Sequence, residues 1–325
     1  MDLILDEPSI TDDLCFTPLH HVVIGLEQAD LRQQLRLNSL YVSTPDALGR
    51  SPLHWAVLLG EHDATEALLA HGASPDLVDK EQMTPLHNIY LSPSSSQRRC
   101  AELLLEANGD VNALDKWGRT PLRIVVGYED IDQDLVGFLL EKGADVNLRD
   151  MYAQSPLLKS ISGSHLTTRL LLDHGADIEA RDIYGNTPLI EAIYRNKPRS
   201  LQLLLEHGAM TDTYLGLKAG RRAREGPTCL LDFAIWYGSL EVFQTLEEWA
   251  TNHRFLTPTD KFDEFLDFRL ANGREVTDEA REAFARIHVK LPTASCPYLD
   301  STYIRKEGYG SSDNEIFFDA HDDTI

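Results

Sequence analysis

One apolar position recurs along this chain at near-equal intervals. Leu19, Leu53, Leu86, Leu122, Leu157, Leu189 and Leu231 each stand two residues after a small opener: Thr17, Ser51, Thr84, Thr120, Ser155, Thr187 and, in the last copy, Cys229. The openers are 34, 33, 36, 35, 32 and 42 residues apart. Proline follows six of them (Pro18, Pro52, Pro85, Pro121, Pro156 and Pro188), and Leu230 takes its place in the seventh. A unit of this length is a single supersecondary element, too small to bury its own apolar face. The copies must therefore stack into one elongated core.

Residues 115–147 show what one unit folds into. Asp115 to Arg119 is turn material, with Gly118 free to take φ > 0. Thr120 and Pro121 start a helix: the hydroxyl accepts an orphan N–H, and proline needs none at the first helical position. Leu122, Val125 and Val126 fall at helical spacing. A break over Gly127 to Asp132 precedes a second stripe of Leu135, Phe138 and Leu139, which Gly143 stops in the left-handed region.

The residues TPLH at 17–20 and 84–87, SPLH at 51–54, GADVN at 143–147 and GADI at 175–178 resemble the ankyrin-repeat family over roughly residues 17–250. That resemblance implies an all-α solenoid of helix-turn-helix units with β-turn fingers. It also implies a concave surface that holds a protein partner. Later copies depart from the pattern. The histidine of TPLH becomes Arg123, Leu158, Ile190 and Asp232, and Asn108 replaces the helix-stopping glycine of the third copy. Irregular repeats with a long insertion and an acidic tail are similar to those of fungal ankyrin proteins.

The expected organisation is a lead-in at 1–16, the repeat domain at 17–250 with an insertion at 213–227, capping helices at 251–290 and a disordered acidic tail at 291–325. In the third copy, Ser92 to Ser96 with Pro93 is expected to form a projecting loop. The insertion holds Lys218, Arg221, Arg222 and Arg224, a basic patch in a chain of net charge −22. It reads as a solvated loop, with docking of an acidic partner or nuclear import as the sharper alternative. Such an acidic balance argues against nucleic acid as the main partner. The four cysteines lack metal or disulfide spacing, which points to a reducing compartment. No stretch reads as a targeting peptide or membrane span. A cytoplasmic monomer is expected, with the nucleus a second location.

Catalytic signatures are missing: no phosphate-binding loop, zinc-protease or nucleophile-elbow motif occurs. No catalytic, cofactor-binding or metal residue is assigned. His20, His54 and His87 recur with the repeat and read as structural. His71, His174 and His207 precede helix-ending glycines, where they suit the helix dipole.

The binding candidates lie on the fingers. Three residues before each opener stand Leu48, Glu81, Trp117, Tyr152 and Tyr184. Three successive repeats thus put an aromatic at one fingertip position, where a ring buries much area at low entropic cost. Stacking between fingers is the bland alternative. Trp55, on a first helix, extends the same candidate surface or serves packing.

In the tail, Phe317, Phe318, Asp319 and Ala320 within an acidic tract resemble the FFAT motif, although Ile316 stands where that motif places an acid. The resemblance implies docking to the major-sperm-protein domain of VAP-type proteins at the endoplasmic reticulum. Ser312, with Glu315 three residues on, is a phosphorylation candidate that would strengthen the acidic flank. Asn112 and Asn147 resemble the asparagines hydroxylated in ankyrin repeats. The leading reading is a non-enzymatic interaction scaffold. The alternative is a regulatory or targeting subunit of an enzyme, or an enzyme with its chemistry in 251–290.

Overall fold

A computed structural model of the chain describes residues 14–129, 131–211, 234 and 239–250. The chain divides into two compact units, 1–209 and 210–325. The expected insertion, capping helices and tail, and nearly all of the seventh copy, lie outside the described residues.

The first unit holds six copies of one helix pair, with no strand among the described residues. The first helices are α1 (Pro18–Val23), α3 (Pro52–Leu59), a 3-10 helix at Pro85–Leu91, α6 (Pro121–Val125), α8 (Pro156–Ser160) and α10 (Pro188–Tyr194). The second helices are α2 (Leu31–Leu37), α4 (His62–Ala70), α5 (Ser94–Glu106), α7 (Gln133–Glu141), α9 (His165–Asp173) and α11 (Pro198–Glu206). In the second unit, α12 (Leu240–Ala250) buries Val242, Phe243 and Leu246.

The local chemistry explains each start and stop. Thr17, Ser51, Thr84, Thr120, Ser155 and Thr187 are the N-caps, all in extended backbone, with proline at the first helical turn. Gly143 (φ 91) and Asn108 (φ 64) stand just past the ends of their helices in the left-handed region. First helices pack on first helices and second on second. The recurring leucine is the centre of that stack: Leu19, Leu53, Leu86, Leu122, Leu157 and Leu189 are at most 2 % exposed.

One expectation fails here. The segment from Ser92 to Ser96 is not a projecting loop. Ser92 is buried, and its hydroxyl donates to the carbonyl of Val57. Pro93 is the N-cap of α5, and Ser94 to Ser96 form its first turn. Proline ahead of a first turn costs no hydrogen bond, because the N–H groups there have no partner within the helix.

Candidate functional site

Each finger is built on one buried carboxylate. Asp46, Asp79, Asp115, Asp150 and Asp182 are all buried. In every finger one carboxylate oxygen accepts two backbone N–H groups, from the residues two and four further on. For Asp115 these are Trp117, at 2.9 Å, and Arg119, at 2.8 Å. The same pair of bonds recurs at Asp46, Asp79, Asp150 and Asp182. This local network closes the turn and fixes the tip residue through its own N–H. The second oxygen turns to a different partner in each copy. Asp46 accepts from the Trp55 indole at 2.8 Å, Asp115 from Arg119 at 2.7 Å and Asp182 from Asn186 at 3.0 Å. Burial raises the Asp182 carboxyl above the ordinary range, and the N–H bonds oppose that rise.

The fingers are also joined to one another. Lys80 N–H donates to the carbonyl of Leu48, Lys116 to Glu81, Met151 to Trp117 and Ile183 to Tyr152, each at 2.9–3.0 Å. The acceptors are the tip residues themselves. A single rail of backbone hydrogen bonds therefore holds Leu48, Glu81, Trp117, Tyr152 and Tyr184 in one row. Sequence reasoning missed these aspartates, although an aspartate five residues before the opener recurs from the second copy to the sixth.

Along that row, Leu48 is exposed, and Glu81, Trp117, Tyr152 and Tyr184 are half-buried. The Trp117 ring lies against two cations of its own finger, Lys116 Nζ at 4.2 Å and the Arg119 guanidinium at 4.3 Å from its centroid. Lys116 also pairs with Glu81 of the preceding finger. Two apolar residues that the sequence reading did not single out belong here: Met151 is 60 % and Ile183 49 % exposed, each beside a tip tyrosine.

Trp55 is corrected. It is 6 % exposed, its indole N–H is spent on Asp46, and Phe16 meets its ring edge-on at 5.4 Å. Two residues past the recurring Leu53, Trp55 is turned onto Asp46 and Phe16, so it packs and offers no open face.

The histidines are structural. His54 Nδ1 accepts the Ser51 N–H at 3.1 Å, and its Nε2 reaches the Met83 carbonyl of the next copy at 3.0 Å. His20 and His87 repeat this with Arg50 and Arg119. Burial lowers all three below the ordinary imidazole range, His54 to about 4. His71, His174 and His207 each bond the carbonyl four residues back, at the end of their helices.

Asn112 and Asn147 join neighbouring copies. Asn112 accepts from Asp145 N–H at 2.8 Å and donates to the Gly143 carbonyl at 3.0 Å. Asn147 does the same with Asp177 and Gly175. Phe317, Phe318, Asp319, Ala320 and Ser312 lie outside the described residues. Among the described residues no three His, Cys, Asp or Glu side chains are grouped to hold a metal, and no helix is long and apolar enough to cross a membrane.

Comparison with known proteins agrees with this geometry. The family profile described as Ankyrin repeats matches in three overlapping copies, at residues 19–113, 89–182 and 132–214. The chain is 33% identical over 136 residues to the nuclear factor NF-kappa-B p105 subunit of Gallus gallus, covering 42% of this chain and 14% of that protein. It is 29% identical over 152 residues to the probable 26S proteasome regulatory subunit p28 of Saccharomyces cerevisiae, covering 45% of this chain and 64% of that protein. Both matches span less than two thirds of the relative. Among solved structures, the ankyrin repeat domain of Bcl-3 superposes with a TM-score of 0.55 at 25% identity, covering 67% of this chain and 97% of that one.

Proposed function

The chain belongs to the ankyrin-repeat family, and from that premise we propose that it is a non-enzymatic scaffold that holds a protein partner along its finger row. Ankyrin repeats are a protein–protein interaction module, so the finer question is which face is used. The observation that carries the proposal is the backbone rail between fingers, which lines up Trp117, Tyr152 and Tyr184 with exposed Met151 and Ile183 beside them. The turn network is complete without these side chains. The part of each side chain left exposed can meet a partner, and aromatic anchors held on a rigid frame lose little entropy on binding.

The test replaces Trp117 and Tyr152 together with alanine and measures capture of protein partners against the unaltered chain, with the fold followed by circular dichroism. Lost capture with an intact fold supports the finger row. Unchanged capture overturns it.

The acidic tail supplies a second contact in this reading. Phe317, Phe318, Asp319 and Ala320, similar to the FFAT motif, dock a VAP-type major-sperm-protein domain and bring a cytoplasmic monomer to the surface of the endoplasmic reticulum. Phosphate on Ser312 would strengthen the acidic flank. Pull-down with the full chain and with residues 1–310 decides it. VAP-type proteins captured only by the full chain support tail docking; identical protein sets reduce the tail to a solvating segment. The likeness to a proteasome regulatory subunit favours one variant of the scaffold, in which the partner is itself an enzyme assembly.

A further inference from the structure

A cleft of about 610 Å³ opens in the first unit, lined by Leu59, Tyr90, Leu91, Gln97, Tyr128 and Glu129, among others. It does not belong to the finger row. Tyr90 lies in the last turn of the 3-10 helix and Tyr128 three residues past the end of α6, at the opposite ends of these first helices from the turns that carry Glu81 and Trp117. Their rings are stacked, with centroids 4.8 Å apart and planes at 19°. Leu91 is 42 % and Tyr128 36 % exposed, so the cleft presents open apolar and aromatic surface.

Its polar groups are unequal. Gln97 is 2 % exposed, and its side-chain N–H donates to the Ser92 carbonyl at 3.0 Å. Its Oε1 is buried without a hydrogen-bond partner. An acceptor in that state costs free energy until a donor reaches it. The ionised side chain lining the cleft is a carboxylate, that of Glu129. Lys197 holds one of its oxygens at 2.6 Å, while the Glu129 side chain is 67 % exposed. A carboxylate takes about four hydrogen bonds, so capacity is left for a further donor. The start of α5 at Ser94 also borders the cleft. Its partial charge is only about half a unit positive, and Glu129, although paired with Lys197, keeps acceptor capacity facing solvent.

We propose that this cleft takes an arginine side chain from a protein partner. The requirements are several N–H donors, a positive charge and a planar face that lies on aromatic rings, carried on an apolar stem. The arginine side chain, a guanidinium on a three-carbon stem, combines all four. Its stem covers Leu59 and Leu91, its plane stacks on the tyrosine pair, and its N–H groups satisfy Gln97 Oε1 and Glu129. The chain's net charge of −22 draws such a basic segment in before contact. This site shares with the finger row only the premise that the partner is a protein, and it stands if the finger row fails.

The full chain, isotope-labelled, is titrated with N-acetyl-L-argininamide and, in separate samples, with the lysine and tryptophan analogues. The side-chain amide signal of Gln97 and the ring signals of Tyr90 and Tyr128 are followed by nuclear magnetic resonance. Saturable shifts are expected with the arginine probe, roughly fivefold tighter than with lysine. They should be weakened in Glu129→Gln and abolished in Tyr128→Ala, with methyl signals of the remaining core in place. Equal response to lysine and arginine, a stronger response to tryptophan, or no response at Gln97 overturns the proposal. Failure here leaves the finger-row test untouched, since that test alters Trp117 and Tyr152.

Discussion

His54 stands 3.0 Å from the carbonyl oxygen of Met83, a residue of the following repeat. The other ring nitrogen, Nδ1, accepts the N–H of Ser51 at 3.1 Å. One imidazole thus closes its own helix start and ties it to the next copy. It does both only as the neutral Nε2–H tautomer, because a proton on Nδ1 would remove the acceptor.

That requirement sets a pH dependence. Burial lowers His54 to about 4, against an ordinary value of 6.5, and His20 and His87 shift in the same direction. Between these values the unfolded chain binds more protons than the folded one. Stability is therefore full above about pH 6.5 and falls as pH drops toward 4. His54 alone accounts for a loss of about 2 kcal/mol between pH 7 and 5. Urea unfolding at the two pH values checks it: the midpoint should fall, and fall less in His54→Asn. A midpoint independent of pH would sink the account.

Two tryptophans should respond in opposite ways. Trp55 is core, bonded to Asp46 and packed on Phe16. Trp55→Ala should cost about 3–5 kcal/mol. Trp117 is half-buried, and only the cation contacts of its own finger and general packing are lost with it. Trp117→Ala should cost about 1 kcal/mol. Thermal unfolding of the two variants side by side measures the contrast. Similar losses would mean that the fingertip ring is structural.

The period made the fold legible in the sequence. An opener, a proline and a leucine at fixed offsets report positions that the stack buries completely, and the structure buries all six leucines it describes. The offset of the tip residues was equally visible. What could not be read was which aromatic faces outward. Trp55 and Trp117 have the same residue type and differ only in neighbours brought from other parts of the chain. Ser92 misled for a related reason: local propensity calls Pro-Ser-Ser-Ser a loop, but the Val57 carbonyl offered Ser92 a partner 35 residues away. The Tyr90–Tyr128 stack and the vacant acceptor of Gln97 depend on contacts between copies, which a repeat pattern does not encode.

Where arginine replaces histidine the tie between copies changes chemistry. Arg123 pairs with Asp150 of the next finger at 2.6 Å, with side chains 5% and 0% exposed, and also reaches the Gln154 side chain at 2.8 Å. Arg123→Ala leaves a buried carboxylate without its cation and should cost about 3–5 kcal/mol. Arg123→His should recover part of that loss. In the first three copies the histidine bonds the carbonyl just before the next opener, and here that residue is Gln154. Urea midpoints ordered wild type, His, Ala are expected. Alanine equal to wild type would show that the pair contributes nothing net.

The rail between fingers can be broken without touching a side chain that faces a partner. Gly49 and Gly143 both have positive φ, 83 and 91. A methyl group on Gly143 meets nothing within 4 Å, whereas on Gly49 it lies 2.8 Å from the Lys80 nitrogen. That nitrogen is the donor to the Leu48 carbonyl, at 3.0 Å. Gly143→Ala pays only for its backbone conformation, about 1–2 kcal/mol. Gly49→Ala pays the same and must also push the next finger away from its acceptor, so its loss should be larger. Amide hydrogen exchange separates the two effects. The Lys80 amide should exchange faster in Gly49→Ala and at the native rate in Gly143→Ala, after correction for global stability. Equal protection of Lys80 in both variants would show that the finger row is held by the aspartate turns alone.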